Sequence, residues 1–286
     1  MRLIACLALA ASVLTTPALA QSGDWRAVDP ANLLVIDTTR GRVLIEMVPE
    51  AAPGHVERVR TLARQGFYDG LTFHRVMTGF MAQTGDPQGT GEGGSELPDL
   101  RAEFSFRRGS DPAFTEVTGS DRNFVRASGV QLGLFGGLPI QTQPDGQMFA
   151  TRDGRVDATA WFCPGVVGAA RTAQDVNSAN SQFFIMTAAN MGLNGQYSAW
   201  GRVVGPMDAV NLLAAGAPPS GIVPEDQRDR MTRVRIAADI PAGERPSVRV
   251  MDVRSAEFGA LVELRRAAVG ARFSLCDVIP PAEISN

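Results

Sequence analysis

The residues Tyr68 to Gly94, YDGLTFHRVMTGFMAQTGDPQGTGEGG, constrain the fold of this chain more than any other stretch. Asp69-Gly70 is a turn signal. Leu71, Phe73 and Val76 read as a strand, and Thr78-Gly79 breaks it. Phe80, Met81 and Gln83 resume before Gly85-Asp86-Pro87 ends the run. Two short strands joined by a tight bend bring Arg75, Phe80, Met81 and Gln83 close together. The glycines that follow predict a mobile loop. Gly89 to Gly94 matches G-x-G-x-x-G in letters alone. No parallel strand feeds it, and Leu97-Pro98-Asp99 cannot open the helix that a dinucleotide site requires.

The elements around this stretch alternate between strand and helix signals. Leu33–Thr38 and Arg42–Val48 form a hairpin about Thr39-Arg40-Gly41. Pro53 opens a helix with Val56, Val59 and Leu62 or Ala63 inward, and Gly66 stops it. Pro164–Ala170, Gln182–Thr187, Trp200–Val204 and Met231–Ile240 are further strands. Pro206 opens a second helix over Met207, Val210 and Leu213. Beyond Ile240, Val248, Val250 and Val253 suggest a strand. Ser255 is the N-cap of a helix to Val269 that Gly270 ends, and Phe273–Ile279 reads as a last strand.

With 286 residues, 44% of them hydrophobic, the chain allows one large domain or two small ones. Its net charge of −3 offers no basic field for nucleic acid. All basic residues other than the two histidines are arginine, which excludes a Schiff-base lysine and a Walker-type phosphate loop. Arg2, the apolar run Leu3–Leu14 and Ala18-Leu19-Ala20 read as a signal peptide over residues 1–20, cleaved before Gln21. The run is too short to span a membrane, and Cys6 is too early for a lipid anchor. This places the mature chain in the periplasm or outside the cell. Cys163 and Cys276 then remain, as one disulfide or as two buried thiols. No Cys/His cluster supports a zinc site. No cofactor is expected.

Phe73-His74-Arg75-Val76-Met77-Thr78-Gly79-Phe80-Met81-Ala82-Gln83-Thr84-Gly85-Asp86 and, later, Ser181-Gln182-Phe183-Phe184-Ile185 resemble the two signatures of the cyclophilin family of peptidyl-prolyl isomerases. The resemblance covers Leu33 to Ile240. It implies a mainly β fold, a closed eight-stranded antiparallel barrel capped by two helices. The residues 21–240 form this domain, with an insertion at about 105–162 that the family lacks. The extension 241–286 is too small to stand alone and packs on the barrel. Within the insertion, Met148–Phe162 reads as a hairpin around Asp153-Gly154. Phe135 and Leu138, in a glycine-rich setting, suggest a flexible lip beside the binding groove.

The resemblance also implies the chemistry. Arg75 matches the catalytic position. Phe80, Met81, Phe184 and Leu193 match the proline-ring pocket. Gln83 and Gln182 match the polar residues that hold the substrate backbone. Ala170 and Arg171 fall where the family has Ala-Asn, at an edge that pairs with the peptide. Tyr197 replaces the family histidine of the groove, and Gly192 stands where many members carry tryptophan, which weakens the expectation of cyclosporin binding. His74 belongs to the motif as a buried structural group, since bond rotation transfers no proton. The expected partners are proline-containing segments of unfolded or exported proteins. A non-catalytic peptide-binding or chaperone-like module is the alternative reading, and client proteins and oligomeric state stay open.

Overall fold

The computed structural model describes residues 24–285. The expected signal peptide and Cys6 lie outside the described residues. Eight strands form one antiparallel sheet in the order Met231–Ile236, Leu33–Thr38, Gly41–Met47, Ala199–Val203, Val166–Ala169, Phe183–Met186, Met81–Thr84, Arg75–Met77. Its inner face buries Leu34, Ile36, Val43, Ile45, Phe73, Ile185 and Trp200, and the helix Pro53–Arg64 adds Val56, Val59 and Leu62.

The sheet curls into a half-barrel, and its ladder does not close as expected. At the seam, single bridges pair Thr72 with Arg230 and Arg75 with Ile222. The seam segment carries Pro218, Pro219 and Pro224, which have no N–H to donate. On the far edge, the N–H of Val234 is taken by the Asp69 carboxylate (2.8 Å). The second expected helix is a single turn, Asp208–Asn211. Val210 and Leu213 are still buried.

The first hairpin strand is apolar on both faces, Leu33 to Ile36, and the extension supplies the reason. Leu33, Val35, Leu44 and Val204 pack outward against Val248 and Val250. Those valines belong to Ser247–Met251, the centre of a three-stranded antiparallel sheet between Trp25–Ala27 and Ala282–Ser285. Burying both faces explains a run that does not alternate cleanly. Ser255 caps the helix Ala256–Val269 by accepting from the N–H of Phe258, and Gly270 follows with φ 69°. The expected strand at Phe273–Ile279 is instead a 3-10 turn, Leu275–Asp277, closed by a capping box of Ser274 and Asp277, and another 3-10 turn, Gly270–Arg272, precedes it.

The insertion is a five-stranded antiparallel sheet in the order Phe106–Arg108, Val156–Ala160, Leu138–Thr142, Gln131–Phe135, Phe114–Glu116. The expected hairpin around Asp153-Gly154 is absent. Val156–Ala160 pairs with Phe106–Arg108 and with Leu138–Thr142 instead. The hairpin is at Gly136-Gly137, where both φ values are positive. Phe135 and Leu138 flank that turn and are 1% and 0% exposed, so they are core residues and form no lip. They share a core with Phe258 and Val262 of the extension helix and with Phe162 and Phe184. Cys163 and Cys276 are joined by a disulfide with Cα atoms 5.0 Å apart. Insertion, extension and half-barrel thus meet in one apolar contact.

Glu103, just ahead of the insertion, caps the helix Pro53–Arg64 across the fold. Its carboxylate accepts from the N–H groups of Gly54 (3.0 Å) and His55 (3.1 Å) and from His55 Nδ1 (2.6 Å). Partial burial alone would raise its pKa, but these donors hold it below the usual carboxylate value. A depressed folded-state pKa means this stabilisation is complete above the unfolded value near 4.5 and fades as pH falls through the folded one. Glu103→Ala is expected to cost about 1–2 kcal/mol at pH 7, measured by urea unfolding, and less at pH 3. An equal cost at both pH values would refute this account.

Candidate active site

Strand register builds the site. In the ladder between Arg75–Met77 and Met81–Thr84, Arg75 lies directly opposite Gln83, and Phe184 of the next strand lies opposite Gln83 in turn. Gly168 pairs with Phe184 one strand further. Alternation along these strands puts their side chains on one face. A cavity of about 100 Å³ opens there, lined by Arg75, Phe80, Met81, Gln83, Ala170, Arg171, Phe184, Leu193 and Tyr197. It is far below the ~300–1,000 Å³ of a drug-sized site and has room for one small ring. Gln182 lies on an adjoining cavity of about 540 Å³ that shares Gln83, Ala170 and Arg171 and is bounded by the glycine-rich loop at Gly91–Gly94.

The apolar wall is aromatic. Tyr197 meets Phe184 edge-on with centroids 5.5 Å apart, and Phe162 stacks on Phe184 at 5.8 Å. Arg171 lies over the Tyr197 ring at 4.7 Å and the Phe104 ring at 5.6 Å, so its guanidinium is held by two π faces. Phe104 and Phe162 are the residues at which the insertion leaves and rejoins the half-barrel. Phe162 also ties down the segment carrying Leu193: its carbonyl accepts from Asn190 N, and its N–H donates to Asn194 Oδ1 (both 2.9 Å). Gly192 sits there in a 3-10 turn, its N–H held by Asn190 Oδ1 (3.0 Å). The ends of the insertion therefore touch the site, while its hairpin does not.

The polar rim is a connected set. Arg75 Nε donates to the Ser220 carbonyl (2.9 Å), Nη1 to Gln83 Oε1 (3.2 Å), and Nη2 contacts Met77 Sδ (3.1 Å). Gln83 Nε2 donates to Gln182 Oε1 (2.9 Å). A guanidinium has five N–H donors and no acceptor, so N–H groups remain for a bound molecule. His74 is buried, burial lowers its pKa, and its ring nitrogens have no partner among the described residues. It is neutral at pH 7 and lies beneath the loop, off the cavity. The glycine-rich loop, expected to be mobile, is wrapped on the Asp86 carboxylate.

Sequence reading missed Phe104, Phe162, Ser220 and Asp86. The apolar Trp161-Phe162-Cys163 run beside a buried strand was a usable signal for Phe162. Ser220 acts through its carbonyl, for which no side chain is diagnostic. Among the described residues, no group of three metal-ligating side chains occurs, and no helix is long and apolar enough to cross a membrane.

Comparison with known proteins agrees with this geometry. Residues 33–238 match the family model described as cyclophilin type peptidyl-prolyl cis-trans isomerase/CLD. A Brucella suis protein named "Probable peptidyl-prolyl cis-trans isomerase" is 35% identical over 221 residues, covering 73% of this chain and 85% of that one. Peptidyl-prolyl cis-trans isomerase B of Bacillus subtilis is 58% identical over 53 residues, 18% of this chain and 37% of its own. The crystal structure of cyclophilin AquaCyp293 from Hirschia baltica superposes with a TM-score of 0.79 at 34% identity, over 93% of this chain and 95% of that chain. That coverage is wider than residues 33–238 alone, so the likeness reaches beyond the family domain.

Proposed function

The chain belongs to the cyclophilin-type peptidyl-prolyl cis-trans isomerases, and on that footing we propose that Arg75 and the small cavity beside it act on Xaa-Pro bonds of proteins folding outside the cytoplasm. The observation that carries this reading is the placement of free guanidinium donors at the rim of a ring-sized apolar cavity. Rotation about a peptide bond faces a barrier of about 18–20 kcal/mol because the nitrogen lone pair is delocalised into the carbonyl. No covalent bond needs to form or break. A donor directed at the prolyl nitrogen draws the lone pair out of conjugation, and it does so more strongly as the bond twists.

The residues divide the work accordingly. Phe80, Met81, Phe184 and Leu193 enclose the proline ring, with Tyr197 closing the wall. Arg75 faces the nitrogen. The second N–H of Gln83 Nε2 is available to a substrate carbonyl, and the larger cavity by Gln182, Ala170 and Arg171 accepts residues ahead of the proline. Placement outside the cytoplasm draws support from the Cys163–Cys276 disulfide, a bond that persists in oxidising compartments, and from the signal-like N-terminus.

The test is NMR exchange between the cis and trans forms of a Xaa-Pro peptide with residues 21–286 added. Exchange that quickens in proportion to protein supports the reading. Saturable binding without faster exchange would support the peptide-holding alternative and overturn it.

The wall itself gives a prediction. A Cβ on Gly168 would stand 2.6 Å from Phe184 Cζ and 2.8 Å from Phe162 Cε1. Overpacking of this kind typically costs about 1–3 kcal/mol, and the yielding ring is pushed toward the cavity. Gly168→Ala is expected to raise KM about tenfold with a smaller change in kcat. A KM within twofold of wild type would show that the wall relaxes elsewhere.

A further inference from the structure

The Asp86 carboxylate is buried, and the glycine-rich loop folds around it. Oδ1 accepts from the N–H of Gln88 (2.7 Å), and Oδ2 from those of Thr90 (2.8 Å) and Gly91 (2.6 Å). A Cβ on Gly93 would lie 2.0 Å from Oδ1, so the loop backbone rests directly on the carboxylate. Closed in this way, the loop turns the carbonyls of Gly91 and Gly93 toward Gln182, whose Nε2 donates to both (2.9 and 2.8 Å).

These two carbonyls set the polarity of everything beyond them. With its nitrogen pinned, Gln182 must present Oε1 to Gln83. Gln83 must then turn its nitrogen toward Gln182 and its oxygen toward Arg75. Reversing Gln182 would set its NH₂ against that of Gln83, and reversing Gln83 to relieve that clash would set an NH₂ against a guanidinium that can only donate. We infer that Asp86 is a positioning residue for Arg75, acting through the loop and the ordered pair of glutamine amides. This rests on the reading of Arg75 given above.

The electrostatics agree. Burial alone would raise the Asp86 pKa, but the N–H groups of Gln88, Gly91 and Gly93 hold it below the usual carboxylate value, with a smaller contribution from His74. His74 faces it from below, and the Arg228 guanidinium lies against Gly89 of the same loop. The acceptor is therefore charged throughout the neutral range.

Asp86→Asn keeps the shape but sets a donor among converging N–H groups. The expected result is a fall in kcat of about tenfold, in line with the cost of misplacing a catalytic group, with KM within twofold because the proline cavity is untouched. In a Gln182→Ala background the same substitution is expected to leave kcat unchanged while lowering the thermal midpoint as it does in wild type. Losses in kcat that multiply across the two backgrounds would overturn the relay and leave a purely structural aspartate. Gly93→Ala carries the same expectation should Asp86→Asn fail to fold. Independently of turnover, the side-chain amide hydrogens of Gln182 in the wild-type protein are expected to exchange with solvent much more slowly than a free amide. Free-amide exchange refutes the relay even in an active enzyme. Slow exchange in a protein without isomerase activity would instead remove the role of Arg75 and leave the hydrogen-bond chain standing.

Discussion

Arg75→Ala is expected to lower kcat/KM for Xaa-Pro isomerisation by about 10²–10³-fold, with most of the loss in kcat. The magnitude follows from removing one preorganised charged donor in a partly dry site, about 2.7–4 kcal/mol of transition-state stabilisation. The loss is expected in kcat because on the proposed mechanism the donor gains strength as the nitrogen becomes pyramidal, whereas ring binding is assigned to Phe80, Met81, Phe184 and Leu193, which line the cavity. Arg75→Lys is expected to recover only part of the activity. A lysine can reach one of the acceptors, Ser220 O or Gln83 Oε1, but it lacks the planar fork that contacts both while still offering free N–H groups. NMR exchange on a single peptide measures all three proteins. Equal rates for wild type and Arg75→Ala would remove Arg75 from the mechanism and shift attention to Arg171, the other guanidinium on the cavity.

The Cys163–Cys276 bond is expected to be the largest single contributor to stability that one chemical treatment can remove. It closes a loop with a sequence separation of 113. On the chain-entropy account, restricting the unfolded chain over that length contributes roughly 4–5 kcal/mol. Against the 5–15 kcal/mol of a typical domain, this is a large share. Urea unfolding of the Cys163→Ala/Cys276→Ala variant, compared with the oxidised wild type, measures it. Superimposable curves would refute the account. A second consequence is local. Cys163 follows Phe162, which stacks on Phe184 and anchors Asn190 and Asn194. The variant should therefore bind peptide more weakly well below its unfolding transition, whereas a bond acting through the unfolded chain alone would leave KM unchanged.

The parts of this protein that could be read from sequence are those whose contacts are local. Arg75 and Gln83 face each other across a bend of a few residues, and the Thr78-Gly79 break specifies that bend. Phe135 and Leu138 show the limit. Set among glycines they read as an exposed lip, and the structure makes them the buried flanks of a hairpin turn. Glycine content alone does not separate a flexible loop from a tight turn between buried strands. The insertion sheet was similarly hidden. Its strands are three to five residues long, too short for a period to show, and its last strand pairs with its first. The seam of the half-barrel was lost for the opposite reason: the prolines were visible, but which strand edge they run along is a tertiary fact.

The sequence by itself determined the first hairpin, the helix from Pro53, the capped helix after Ser255, and the bend that brings Arg75, Phe80, Met81 and Gln83 together. Each follows from residue types acting on near neighbours. Only the tertiary structure decided what holds that group in place. The Ser220 carbonyl, the Gly91 and Gly93 carbonyls, Phe104 and Phe162 come from segments distant along the chain. Main-chain carbonyls are the same in every residue, and an aromatic ring at the edge of an insertion has the same identity whether it faces solvent, core or substrate. Their roles come from where the rest of the chain carries them.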